Sequence, residues 1–217
     1  MPVSPPPMRT SQGIESRILT PGAAMLPGFA RADAEAVFAA VLEIAKQAPF
    51  RRPVTPGGYA MSVGLTSCGR RGWVSDANGY RYAARDPSSG QSWPPMPERF
   101  RALAGRAAEC AGFPGFAPDA CLINRYYPGS RMSLHQDRNE RDLEAPVVSV
   151  SLGLPAVFMF GGLRRSDRPQ HLLLQHGDVV VWGGLARLRF HGVQPLKAGH
   201  HPLTGGQRIN LTFRKSL

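Results

Sequence analysis

Two histidines and one aspartate have the types and the spacing to hold a catalytic metal. His135 and Asp137 are separated by a single residue, and His191 follows much later, in the run Arg189-Phe190-His191-Gly192. Two imidazoles and one carboxylate form the facial set that binds iron(II) in oxygenases and leaves coordination positions open for chemistry. The chain has six histidines and fifteen acidic residues, so unrelated surface or core residues could give the same pattern.

The spacing of this set indicates that β-strands position it. Side chains two residues apart on an extended strand point to the same face, so His135 and Asp137 could reach one metal together. His191 must then lie on a distant strand that the fold brings alongside the first.

The segment 208–214 alternates polar and apolar residues at every position, which predicts a strand with two unlike faces. One face would carry Arg208, Asn210, Thr212 and Arg214. Guanidinium groups pair with carboxylates through two parallel hydrogen bonds, so this face suits an anionic dicarboxylate. A half-buried strand with a solvated basic face would show the same alternation.

The bulk composition indicates a single folded domain with extensions. The chain has 217 residues, of which 42% are hydrophobic, enough to bury a core. No segment approaches the ~20 uninterrupted apolar residues of a membrane span. The Pro-rich start has no apolar signal core, and the three cysteines have no metal-binding spacing. We therefore expect a flexible lead over residues 1–30, a cytoplasmic location and no membrane partner.

The charge of the chain favours a polyanionic partner. The formal net charge is +11 and the pI is near 10.6, and nucleic acid is the commonest partner of such proteins. Compositional drift in a chain rich in arginine could produce the same excess.

Hydrophobic periodicity and turn residues predict a mainly β fold with flanking helices. Helices are predicted at 32–48 and 97–111, and the span 55–97, rich in Gly, Pro, Ser and Tyr, is predicted to be a functional lid with a strand-like piece at 59–66. Evenly spaced strands that imply a sandwich or jelly roll are predicted at 121–127, 132–135, 147–152, 156–160, 172–174, 179–182, 188–191 and 209–214. The predicted organisation is a lead (1–30), helices and lid (31–117) and a catalytic core (118–217), with 31–217 as one compact unit.

Six ordered stretches carry a resemblance to a known family: VTPGGY (54–59), PDACLINRY (118–126), SLHQD (133–137), VSVSLGLP (148–155), HGDVVVWGG (176–184) and NLTFR (210–214). From about residue 55 to residue 214 the chain resembles the bacterial AlkB family of alkylated-DNA repair dioxygenases, closely enough to predict an orthologue. The resemblance implies a double-stranded β-helix (jelly-roll) core and a nucleotide-recognition lid.

The resemblance also implies an Fe(II)- and 2-oxoglutarate-dependent reaction with O2. His135, Asp137 and His191 would hold the iron, and 2-oxoglutarate would contact Asn124, Arg125, Tyr126, Arg208, Asn210 and Arg214. Oxidative decarboxylation of 2-oxoglutarate would be coupled to hydroxylation of an N-alkyl group, as in 1-methyladenine or 3-methylcytosine of DNA or RNA. A methyl group would leave as formaldehyde.

Substrate contacts implied by the resemblance are Trp73, Tyr80, Arg81, Tyr82, Arg138, Asn139 and Arg165, with Arg70 and Arg71 placed for phosphates. A base inside a duplex cannot reach a buried metal, so the target would be single-stranded or flipped out and stacked on aromatic rings. The aromatic residues could instead anchor a Gly-rich loop, and Arg138 could be a solvated surface residue. A monomer is expected.

Asn139 departs from the family pattern, in which an acidic residue is expected two positions after the aspartate ligand. A carboxylate there would complement the positive charge of 1-methyladenine, whereas an amide keeps hydrogen bonding and loses the charge. We expect activity with a preference shifted towards neutral lesions.

Three other functions fit parts of the pattern. The chain could be an iron oxygenase acting on RNA, a protein side chain or a small metabolite. It could be a non-catalytic nucleic-acid-binding protein with a vestigial metal site. It could also be a zinc-dependent hydrolase, because histidine and carboxylate bind zinc as well, although two arginines directed at a cosubstrate have no role in that chemistry.

Overall fold

A computed structural model describes residues 8–9 and 15–217, which contain fourteen strands and two α-helices. In chain order the elements are β1 (Met8–Arg9), β2 (Glu15–Thr20), β3 (Ala23–Leu26), α1 (Ala34–Gln47), β4 (Gly64–Gly69), β5 (Gly72–Asp76), β6 (Gly79–Ala83), α2 (Glu98–Cys110), β7 (Ala120–Tyr126), β8 (Met132–His135), β9 (Val147–Gly153), β10 (Ala156–Phe160), β11 (Gln170–Leu174), β12 (Val179–Trp182), β13 (His191–Val193) and β14 (Arg208–Arg214).

Two antiparallel sheets face each other and form the scaffold of the fold. The major sheet has the strand order β1-β2-β3-β12-β9-β14-β7-β4, and the minor sheet has the order β11-β10-β13-β8. Side chains from both sheets, among them Trp182, Tyr126 and Phe160, fill the space between them. The strands β5 and β6 form a separate hairpin. The predicted mainly β fold with flanking helices is confirmed.

Strand β14 lies inside the major sheet between β7 and β9, and all of its residues are buried. Ile209, Leu211 and Phe213 pack into the core beneath the two helices, where Phe213 meets the ring of Phe100 edge-on at 5.9 Å. The polar residues of the alternation point towards the minor sheet. The alternative of a solvated basic face is therefore wrong, and this face needs partners inside the protein.

Helices α1 and α2 cover the outer face of the major sheet, close to the predicted ranges. Their buried stripes have helical spacing, with Val37, Val41 and Ile44 on α1 and Phe100 and Leu103 on α2. This spacing is typical of a helix that packs one of its faces against a sheet. Within the described residues, no helix is long and apolar enough to cross a membrane.

The N-terminal prediction is wrong for residues 15–30, which belong to the fold. Strand β3 pairs with β12 inside the major sheet, and its four residues are buried. The run Ala23-Ala24-Met25-Leu26 is apolar throughout and therefore suits a strand covered on both faces. The rest of the predicted lead, residues 1–7 and 10–14, lies outside the described residues.

Two further boundaries differ from the prediction. The strand expected at 188–191 begins only at His191, because Gly184–Ala186 form a turn of 3-10 helix and the chain enters β13 late. The strand-like piece expected at 59–66 lies at Gly64–Gly69, where β4 pairs with β7 at the edge of the major sheet. The first part of the predicted lid is thus scaffold, and β5 and β6 form a separate two-stranded hairpin within the rest of it.

Candidate active site

Neighbouring strands of the minor sheet bring the three predicted metal ligands together. His135, the last residue of β8, is directly paired with His191, the first residue of β13, and the two rings lie 4.4 Å apart. Asp137 follows β8 with its carboxylate 3.8 Å from Nε2 of His135 and 3.7 Å from Nε2 of His191. Candidate ligand atoms of all three residues lie within 4.8 Å of one another. The prediction that the triplet converges on one point is confirmed.

Both imidazoles are held in the orientation that a metal requires. Nδ1 of His135 lies 2.9 Å from the carbonyl of Ser133, and Nδ1 of His191 lies 3.0 Å from the carbonyl of Arg189. A proton on each Nδ1 leaves Nε2 free as a ligand, an arrangement common in metal centres. Burial, reinforced by the nearby His135, lowers the pKa of His191 to about 4, so this imidazole is neutral at pH 7.

The Asp137 carboxylate is kept ionised by its surroundings. Arg214 donates from Nε and Nη2 to Oδ2, at 2.9 and 2.8 Å. Burial acts to raise the pKa of Asp137, but Arg214 and the two histidines outweigh it and hold that pKa well below its ordinary value. Two imidazoles and one carboxylate are the donor set that iron(II) takes in oxygenases, so these residues fit that metal.

Arg208 is a buried cation that lacks an anionic partner within the described residues. Its side chain lies at 5.0 Å over the ring of Tyr126 and donates from Nη2 to the hydroxyl of Ser151 at 2.9 Å. Its Nε and Nη1 atoms have no hydrogen-bond partner among the described residues, and burial lowers its pKa. Unpaired charge inside a protein is costly, so this guanidinium fits a site for a carboxylate ligand.

Polar side chains from three adjacent strands, β7, β14 and β9, belong to the same polar face of the major sheet as Arg208. Asn124 donates to Asn210 at 3.3 Å, and Asn210 donates to the hydroxyl of Ser149 at 2.8 Å and the carbonyl of Val150 at 3.0 Å. Oδ1 of Asn124 and Nη1 of Arg214 have no partner among the described residues. Together with Arg208 and Tyr126, these groups form a buried polar face opposite the metal ligands.

The structure does not bring Arg125 into this group, which corrects its assignment as a cosubstrate contact. Successive residues of β7 point to opposite faces, so Arg125 lies on the far side of the sheet from Asn124 and Tyr126. Its guanidinium lies 4.3 Å from the ring of Phe50 and 5.4 Å from that of Tyr127.

The hairpin β5–β6 carries two predicted base contacts on one face. The rings of Trp73 and Tyr80 stack with centroids 5.4 Å apart and planes 17° apart, and Tyr80 is 46% exposed. Arg81 lies on the other face, opposite Val74, and forms two hydrogen bonds with Asp76, both of 2.8 Å. Arg81 is therefore separated from the aromatic pair, and its role as a substrate contact stays a prediction.

The remaining predicted contacts surround the site at the surface. Arg138 and Asn139 are exposed directly after Asp137, and the Asn139 amide donates to the carbonyl of Tyr80 at 3.4 Å. Arg165 is exposed and lies 5.3 Å over the ring of Phe190, the neighbour of His191. Arg70 is exposed and Arg71 is half-buried, in the turn between β4 and β5.

Sequence reasoning missed two buried charged residues beside the metal ligands, Glu140 and Arg187. Arg187 donates to the backbone carbonyl of Asp137 at 2.6 Å and to the Glu140 carboxylate at 3.1 Å. The Tyr82 hydroxyl donates to the same carboxylate at 2.6 Å, so this hydroxyl has a partner within the protein, and its predicted contact with substrate stays a prediction. Both residues lie in loops, where the sequence carries no periodic signal that would predict burial.

Comparisons with known proteins agree with this arrangement. A sequence profile of the 2OG-Fe(II) oxygenase superfamily matches residues 22–214. The alpha-ketoglutarate-dependent dioxygenase AlkB of Salmonella typhimurium is 58% identical over 198 residues, which cover 91% of this chain and 92% of that protein. The nucleic acid dioxygenase ALKBH1 of Mus musculus is 33% identical over 121 residues, 56% of this chain and 31% of that protein. The solved structure of OsALKBH1 matches with a TM-score of 0.82 at 29% identity, covering 92% of this chain and 99% of that one.

Proposed function

The chain belongs to the 2OG-Fe(II) oxygenase superfamily and is an iron(II)- and 2-oxoglutarate-dependent dioxygenase, and we propose that it removes alkyl groups from the bases of nucleic acid. The observation that carries the substrate is the stacked pair Trp73–Tyr80, which lies on a hairpin whose backbone is hydrogen-bonded to Asn139, two residues after Asp137. The similarity of this chain to AlkB of Salmonella typhimurium over most of both chains supports the same reaction.

The metal would be held by His135, Asp137 and His191, and with 2-oxoglutarate and O2 it supplies the oxidation of the alkyl carbon. The protein's residues fix the orientation of the reactants. Arg208 would pair with a carboxylate of 2-oxoglutarate through the nitrogens that have no other partner. Arg214 keeps Asp137 ionised and oriented, and its buried Nη1 has no hydrogen-bond partner among the described residues.

The chemistry requires one O2 and one 2-oxoglutarate for each alkyl group removed. One oxygen atom enters succinate as 2-oxoglutarate loses carbon dioxide, and the other enters the alkyl carbon. The hydroxylated N-methyl group then loses its hydroxyl proton and leaves as formaldehyde, while the base nitrogen recovers its proton or lone pair. No residue is consumed, so the protein contributes position, exclusion of water and charge.

The base would be presented from a single strand or flipped out of a duplex and stacked at the Trp73–Tyr80 pair. The exposed Arg138 follows Asp137 directly, and the exposed Arg165 lies over the ring of Phe190, the neighbour of His191. Both would contact phosphates without reading sequence. Asn139, which contacts the backbone of the hairpin, would meet the edge of the base and favour neutral lesions.

Aerobic incubation with iron(II), 2-oxoglutarate and an oligonucleotide carrying 1-methyladenine tests the proposal directly. Mass spectrometry should show loss of the methyl group that depends on both additions and disappears in His135→Ala. Parallel DNA and RNA oligonucleotides, single-stranded and duplex, would define the preferred substrate. Succinate production with every oligonucleotide left intact would retain the dioxygenase and refute the nucleobase substrate.

A further inference from the structure

Glu140 is a buried carboxylate at the junction between the hairpin β5–β6 and the metal ligands. Its Oε1 accepts the Tyr82 hydroxyl at 2.6 Å and lies 3.4 Å from Nε of Arg214, and its Oε2 accepts from Arg187 at 3.1 Å. Glu140 itself does not belong to the converging ligand set. Its role must therefore lie in what it holds in place.

Both guanidiniums bound by Glu140 also hold Asp137. Arg187 donates to the Asp137 backbone carbonyl, and Arg214 donates twice to the Asp137 carboxylate. Two carboxylates and two guanidiniums thus form one buried and electrically balanced network. Removing one charge from such a network leaves the others uncompensated and free to change geometry.

Tyr82 is the member of this network that belongs to the hairpin. It is paired directly with Trp73 across β5 and β6, and Trp73 in turn stacks on Tyr80. A two-stranded hairpin is only marginally stable by itself, so its position depends on contacts with the rest of the protein. The hydrogen bond from Tyr82 connects the aromatic face of the hairpin to the residues that orient the metal ligand.

We propose that Glu140 is a positioning residue that couples the hairpin β5–β6 to metal binding through Arg187, Arg214 and Asp137. An ordered Asp137 keeps Glu140 in place for the Tyr82 hydroxyl, and an anchored Tyr82 keeps Glu140 in place for the two arginines. Because such coupling is reciprocal, metal binding should order the hairpin, and loss of the hairpin contact should weaken metal binding. The inference depends on the metal site and not on the identity of the substrate.

Binding of Mn2+, which requires no turnover, measures one side of this coupling. Glu140→Gln keeps the shape of the side chain and removes its charge, and we expect the Mn2+ affinity to fall by about 10- to 100-fold, as for other outer-shell partners. Tyr82→Phe should weaken Mn2+ binding by a smaller factor. Asp76→Asn is the matched control, because it removes the ion pair with Arg81 on the opposite face of the hairpin and should leave Mn2+ affinity unchanged.

Hydrogen exchange of the hairpin amides measures the other side of the coupling, which is the effect of metal binding on the hairpin. Added Mn2+ should slow exchange in β5 and β6 of the wild type and of Asp76→Asn, but not of Tyr82→Phe. Wild-type Mn2+ affinity in Glu140→Gln, or equal slowing in the wild type and Tyr82→Phe, would overturn the proposal. Should Glu140→Gln fail to fold, the Tyr82→Phe comparison decides the matter alone, and the nucleobase assay remains independent of both.

Discussion

Replacing Arg208 by methionine should weaken 2-oxoglutarate binding strongly without destabilising the protein that lacks the cosubstrate. The Arg208 guanidinium is buried, has two nitrogens without partners and forms no salt bridge within the described residues. Burial of an unpaired charge opposes folding, and replacement of such groups by apolar side chains of similar size is often neutral or stabilising. The melting temperature of the cosubstrate-free variant should therefore equal or exceed that of the wild type.

The expected loss of affinity follows from the contacts that Arg208 can offer. Truncating one partner of a buried, hydrogen-bonded charge pair costs about 2 to 5 kcal/mol, and ~2.7 kcal/mol corresponds to about 100-fold in Kd. At a ligand concentration of about 100 times the wild-type Kd, the wild type gains ~2.7 kcal/mol, or about 5 to 11 °C for a chain of this size. The variant gains only ~0.4 kcal/mol, or about 1 °C.

Thermal unfolding with Mn2+, in the presence and absence of 2-oxoglutarate, checks these values, and calorimetric titration gives the Kd directly. Arg125→Met is the matched control, since Arg125 stacks on Phe50 on the opposite face of the sheet and should leave the ligand-induced shift unchanged. A wild-type shift in Arg208→Met, together with a lower melting temperature of the free variant, would show that Arg208 is structural and refute the reasoning.

Three other predictions concern the substrate side and the periphery. Asn139→Asp should raise the ratio of kcat/KM for 1-methyladenine over neutral ethenoadenine by up to about fivefold, because an exposed charge pair contributes up to ~1 kcal/mol. Equal ratios in the wild type and in Asn139→Asp would show that Asn139 does not determine the choice of lesion. Trp73→Ala should raise KM for the oligonucleotide by about 5- to 150-fold, because stacking contributes ~1 to 3 kcal/mol per base; the thermal shift induced by 2-oxoglutarate should persist, and its loss would indicate a structural role. His176 accepts a hydrogen bond from the Gly153 amide at 3.1 Å, and burial, with His201 and Arg31 nearby, lowers its pKa in spite of Asp178. The contribution of neutral His176 to stability is therefore complete above its ordinary pKa of about 6.5 and is lost as the pH falls below that value. The melting temperature should then fall more on acidification in the wild type than in His176→Gln. Equal falls in the two proteins would contradict a lowered pKa for His176.

The features that were predictable from the sequence depend on strand periodicity. The single-residue spacing of His135 and Asp137 places both on one face of an extended segment, and the structure needs only the pairing of β8 with β13 to add His191. The alternation along β14 likewise separates its polar face from its apolar face before any contact is known. The same periodicity could have excluded Arg125, which lies between Asn124 and Tyr126 and must face the opposite way.

The features that were not predictable depend on contacts between loops that are distant in sequence. Glu140 and Arg187 are adjacent only after β8 and the turn that precedes β13 are brought together, and each looks like an ordinary surface charge in the sequence. The burial of the polar face of β14 was equally unpredictable, since the alternation of residues is the same whether that face meets solvent or a second sheet. The N-terminal strands were missed because four apolar residues are too short a run to distinguish a strand from an extended lead.

The structure also separates the roles of two arginines that the alternation of β14 makes equivalent. Arg214 lies within hydrogen-bonding distance of Asp137 and near Glu140, so its charge is already compensated by the protein. Arg208 lies six positions earlier on the same face without a carboxylate partner among the described residues. Since both guanidiniums are buried, Arg208 is a positive charge that no ion pair among the described residues balances. One carboxylate of 2-oxoglutarate would supply the missing negative charge at Arg208, whereas Arg214 already holds the carboxylate of Asp137 in place.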